Sequence, residues 1–149
     1  MRLPDSGARG PRTQTGSTTV GRDRVLLLVV GDHLDSSERV LLELSNADPH
    51  KPLDVSSARD RAGELVASNR LYRQTASKDG EKQIAAVLSD LEPLLVELSH
   101  STGTMSAEEV SSLQKRIDGK GLLFKVRVIG AQVTGREANR PPHAVTSSL

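Results

Sequence analysis

The residues of this chain best suited to chemistry are Asp32, His33 and Asp35, in the run Gly31-Asp32-His33-Leu34-Asp35. Carboxylates three positions apart share a helix face, and an imidazole beside them would complete a divalent-metal site able to assist hydrolysis. A second account fits the same residues. His33 falls on the stripe of Leu26 and Val40, where it is a histidine at a helix interface with its ring hydrogen-bonded to a neighbour. Asp32 and Asp35 are then solvated. The interfacial account is the one expected, and the metal-dependent hydrolase is the alternative.

Arg59, Arg61, Arg70 and Arg73 form the other polar concentration. A nucleic-acid accessory protein would need such a patch together with stacking aromatics or base-edge contacts, and only Tyr72 is at hand to stack. The guanidinium groups are expected to pair with Asp35, Glu38 and Glu43 across the preceding helix, or to sit in water. Asn69 occupies a position where its helix should bury an apolar side chain, so it is hydrogen-bonded to another helix or belongs to a small pocket. Arg59, Asn69, Arg70 and Arg73 together make the candidate interaction surface. No Gly-rich phosphate loop ending in Lys-Ser or Lys-Thr and no Gly-x-Ser-x-Gly elbow occurs. No catalytic residue, metal ligand or cofactor is assigned.

Charge narrows the partners further. Twenty basic and nineteen acidic residues leave a formal charge of +1, too weak a field to steer the chain to phosphate or acidic lipid. Nucleic acid is therefore not expected; a protein partner is, and self-association stays open. There is no cysteine, which removes disulfides, thiolate zinc sites and cysteine nucleophiles together. The longest apolar run, 25–30, is far short of the roughly 20 residues that span a bilayer. Residues 1–21 lack the apolar stretch and cleavage site of a secretory signal.

The elements that must position these groups follow from apolar spacing. Leu27, Val30, Leu34, Leu41 and Leu44 lie on one side of a helix over 22–46, and Leu26, Val29, His33 and Val40 widen its apolar arc, which predicts the central helix. Pro49 and Pro52 end it. Ser56 and Ser57 are expected to cap a second helix reaching about residue 76, with Ala58, Ala62, Leu65, Asn69 and Tyr72 inward. After a loop over 77–80, Ile84, Val87, Leu88, Leu91, Leu94, Leu95 and Leu98 mark the clearest helix, with a kink expected at Pro93. Ser106 and Glu109 form a capping pair for a fourth helix, with Val110, Leu113 and Ile117 facing in.

Residues 122–133 read two ways. Phe124, Val126 and Val128 alternate as in a strand, whereas Leu122, Val126, Ile129 and Val133 fit a helix. Helix is expected, because a lone strand would leave its backbone groups unpaired. The fold class is all-α: an antiparallel bundle of four to five helices over 22–134, between disordered tails over 1–21 and 135–149.

Three ordered blocks carry a resemblance: residues 24–35, from Arg24 to Asp35; residues 69–76, from Asn69 to Ala76; and residues 121–128, from Gly121 to Val128. Over about 22–134 the chain resembles the C-terminal region of bacterial, membrane-anchored, zinc-finger anti-sigma-like proteins. That resemblance implies a regulatory, helical interaction or sensory region on the outer side of the membrane. The zinc finger and transmembrane helix have no counterpart here, so sigma-factor capture and anchorage do not carry over. The compartment stays open: the resembled region implies the outer side of the membrane, whereas the chain as given, without signal peptide or membrane helix, would be cytoplasmic. A standalone relative and a start assigned too late that hides both modules upstream are the two explanations.

Overall fold

The computed structural model describes residues 3–138, with side chains from Gly21 onward. Its elements in chain order are α1 (Leu3–Ser45), β1 (Leu53–Asp54), α2 (Ser56–Lys78), α3 (Lys82–Ser99), β2 (Thr104–Met105), α4 (Ala107–Gly119) and α5 (Leu122–Ala138). This is an all-α bundle with a two-stranded pair added. Two boundaries differ from expectation. The helical backbone of α1 begins at Leu3, upstream of the start placed at Arg22. At the other end α5 continues through 135–138, where a tail was expected. The remaining tail residues, 1–2 and 139–149, lie outside the described residues.

Helices α1, α2, α3 and α5 alternate in direction. Arg61 of α2 reaches Glu43 of α1 at 3.1 Å while Asn69 meets His33, so these two helices run antiparallel. Arg127 of α5 binds Glu38 at 2.8 Å while Gly31 faces Val133 and Thr134, which sets α5 antiparallel to α1 as well. On α3 Asp90 takes Lys125, and Glu81, the N-cap residue just before it, takes Arg136 in a two-pronged bond at 3.0 and 2.7 Å. Since α1 and α3 each pack on both α2 and α5, they stand at opposite corners of an up-down-up-down arrangement. The expected central position of α1 is thus corrected to one corner of four. The Leu and Val stripes read from the sequence are the buried ones: Leu27, Val30, Leu34, Leu41 and Leu44 on α1 share one buried cluster with Ile84, Val87, Leu88, Leu91, Leu94, Leu95 and Leu98 of α3.

The fourth helix closes the end where α1 and α3 finish. Ser106 Oγ accepts the Glu109 amide at 3.1 Å and Glu109 Oε1 accepts the Ser106 amide at 2.8 Å, the reciprocal cap that the sequence predicts. Gln114 then donates from one Nε2 to the carbonyls of Leu44 and Ala47, at 2.9 and 2.8 Å. Leu44 lies in the last turn of α1 and also accepts the Ala47 amide at 3.3 Å, while Ala47 lies just past the helix, so a side chain of α4 fastens the exit of α1. α3 runs unbroken through Pro93. Both Pro93 and Ser89 are exposed, so the carbonyl that loses its helical donor lies on the solvent side.

The start of α2 is built differently from expectation. Neither Ser56 nor Ser57 accepts a cap bond; instead Asp54 Oδ1 accepts the amide and hydroxyl of Ser56, at 2.9 and 2.8 Å. Those two bonds hold the Asp54 carboxyl below its ordinary value, the backbone amide contributing most. Leu53 and Asp54 pair antiparallel with Met105 and Thr104, and the Val55 amide donates to the Gly103 carbonyl at 2.8 Å. The loop closing this pair depends on Gly103. At φ +107° it occupies backbone space that L side chains avoid, and a Cβ there would stand 3.0 Å from Arg59 Nη1 and 3.3 Å from Ser56 Oγ. Gly103→Ala is expected to lower the unfolding free energy by about 2 kcal/mol in urea titrations. A change under about 0.5 kcal/mol would show that the loop relaxes freely.

Residues 122–133 are helical, with Leu122, Val126 and Val133 buried. Phe124, which the strand reading would have buried or paired, is 71% exposed.

Candidate functional site

His33 is 4% exposed and sits between α1 and α2, where Asn69 Oδ1 lies 2.9 Å from its Nε2. Asn69 is itself fully buried, and its Nδ2 donates to the Leu88 carbonyl of α3 at 2.8 Å. One amide side chain therefore ties three helices together. A carbonyl can only accept, so Asn69 must turn its NH2 to Leu88 and its oxygen to His33. That orientation requires the proton of the neutral ring on Nε2. The rings of Tyr72 and His33 meet nearly at right angles, with centroids 5.4 Å apart and planes at 84°, a favourable aromatic geometry. Burial pulls the His33 imidazole below its ordinary value and outweighs the Asn69 bond, which acts in the opposite direction.

Asp32 and Asp35 are exposed, and Asp35 binds Arg39 one turn on at 3.0 Å. The imidazole faces inward while the carboxylates face water, so adjacency in sequence does not become a shared site. Among the described residues no group of three His, Cys, Asp or Glu side chains is placed to hold a metal ion.

The structure also divides the surface formed by Arg59, Asn69, Arg70 and Arg73. Asn69 belongs to the core. The Arg59 guanidinium lies against Gly103 and 3.3 Å from Asp60. Arg70 Nε donates to Glu92 Oε2 at 3.0 Å, and Arg73 Nε stands 3.4 Å from Glu92 Oε1, an ion pair without hydrogen-bond alignment. Of the acids expected to neutralise this helix only Glu43 does so, through Arg61; Glu38 binds Arg127 of α5 instead. Glu92 was not anticipated because periodicity along α2 carries no information on which α3 residue lies opposite.

A different surface lies between α1 and α2. Val25, Leu26, Val29, Leu71 and Tyr72 line an open groove of about 530 Å³, with Arg22 at its rim. Val25 and Leu71 are 59% and 58% exposed. Leucine at that exposure is ordinary when isolated; here it continues an apolar lining. One signal was present in the sequence: Leu71 lies off the inward stripe of its helix, directly beside Tyr72. The floor of the groove is joined to the buried polar cluster, because Tyr72 lines the one and touches the other. Compared with protein-family models, with curated proteins and with solved structures, the chain matches none of them.

Proposed function

We propose that this chain is a non-enzymatic helical interaction domain that receives an apolar segment of a protein partner in the groove between α1 and α2. The observation that carries this reading is the pair of half-exposed side chains, Val25 and Leu71, flanking a concave apolar lining. Apolar anchors entering a groove of this kind supply binding energy without any reactive group. The resemblance to the outer region of anti-sigma-like regulators implies the same kind of work. The hydrolase alternative lacks support from its own residues, since His33 is turned away from Asp32 and Asp35. The nucleic-acid alternative is weakened by the carboxylates that occupy Arg61, Arg70 and Arg73.

A photo-reactive amino acid placed at position 71 tests the proposal in the native cell, with the same group at exposed Arg39 as control. A discrete protein adduct is expected at position 71 alone, falling about tenfold when Val25→Asp is added. Val25→Asp is expected to change stability by no more than about 0.5 kcal/mol, since the side chain is largely in water. Equal labelling at 71 and 39, or an adduct indifferent to Val25→Asp, would remove the groove as the binding surface. An adduct with a second copy of the chain would identify the partner as itself.

A further inference from the structure

We propose that His33, Asn69 and Tyr72 form an acid-released latch that holds α1 against α2 and so keeps the floor of the groove in place. For its consequence this inference rests on the groove reading; the latch itself stands on separate geometry.

The argument starts from proton accounting. Asn69 is oriented by the Leu88 carbonyl, so its oxygen can accept one proton from His33, and Nε2 already supplies it. A second proton must go to Nδ1 and puts a full charge on a ring that is 4% exposed. Among the described residues no carboxylate is hydrogen-bonded to the ring. On α1 itself Asp32 and Asp35 are exposed, with Asp35 on Arg39. On α2 the charged residues flanking Asn69 are Arg70 and Arg73, both cations, and the facing acid of α3, Glu92, is engaged by these two. Among the described residues, the α5 cations Lys125, Arg127 and Arg136 are bound to Asp90, Glu38 and Glu81, and the α5 acid Glu137 lines the cleft with Asp32 and Asp35. None of these groups is hydrogen-bonded to the imidazole, whose shift arises from burial and from Asn69 alone.

The direction in pH follows. The unfolded chain takes up a proton on this histidine near its ordinary value of 6.5, whereas the folded chain resists it to lower pH. Stability from the latch is complete above 6.5 and is lost as pH falls below it. A charged ring drawn out of the core into water leaves its contact with Tyr72, which lines the groove.

The chain carries its own reporter, since Tyr72 is the single tyrosine and there is no tryptophan. Tyrosine emission of the full chain is followed from neutral to acid pH. Wild type is expected to change in one step below pH 6.5. His33→Gln keeps a donor for Asn69 but cannot titrate, and should hold its neutral-pH emission until carboxylates protonate, at about pH 4. A variant with His50, His100 and His143 replaced by Gln keeps His33 alone and should retain the step; it decides the question even if His33→Gln does not fold. An unchanged step in His33→Gln, loss of the step in the triple variant, or NMR titration of the His33 ring at or above 6.5 would each overturn the latch. A normal step without any adduct at position 71 would remove the groove reading and leave the latch standing.

Discussion

Leu41→Ala is expected to lower the unfolding free energy by about 3 to 5 kcal/mol. Leu41 is fully buried on α1, the helix that contacts α2, α4 and α5 at once. Removing its branched end forfeits the transfer of apolar surface from water and leaves a cavity. Neighbouring helices cannot close that cavity without moving side chains already packed, among them Leu34 and Leu44. Urea unfolding at neutral pH measures the effect, with Val25→Ala on the same helix as a reference near zero. A loss below about 1 kcal/mol for Leu41→Ala would mean that α1 is not seated in the core as described.

Asn69→Ala is expected to cost about 2 to 4 kcal/mol at neutral pH, more than its small volume suggests. The change strands the His33 Nε2 hydrogen in the core and withdraws a donor from the Leu88 carbonyl. Leu88 keeps its helical partner, so the penalty falls mainly on the imidazole. Loss of the Asn69 bond also removes the one interaction favouring protonated His33, so the ring in the variant should titrate lower still where the fold persists. The pair can be separated from simple packing by a double-mutant cycle. His33→Leu with Asn69→Leu is expected to recover about 1 to 2 kcal/mol relative to the sum of the two single changes, because neither polar group is then left unpaired. Additive losses would show that Asn69 acts only as filler.

Asn69 also shows what can be read one residue at a time. It stands in register with Ala58, Ala62 and Ala76, and that phase alone places it indoors. Phase likewise put His33 on the apolar arc of α1 and assigned α5 as a helix through Leu122, Val126 and Val133. The Ser106 cap was legible because its partner is three residues away. All these inferences use contacts within one turn or two, where backbone geometry converts spacing directly into position.

Other features depend on where one helix axis lies against another. Glu92 as the shared partner of Arg70 and Arg73, Gln114 on the Leu44 and Ala47 carbonyls at the exit of α1, and the pairing of Leu53 with Met105 all join residues distant in sequence. Periodicity gives the rotation of each helix about its own axis and leaves its height, tilt and neighbours free. The division of Arg59, Asn69, Arg70 and Arg73 among a loop, the core and an ion pair is of this kind. So is the groove, whose lining combines residues of α1 with residues of α2. The amino-acid order thus determined which faces are apolar and which polar residues interrupt them. Only packing decided what those residues meet, since the distances that set hydrogen bonds and clefts belong to pairs of helices, and no single helix encodes them.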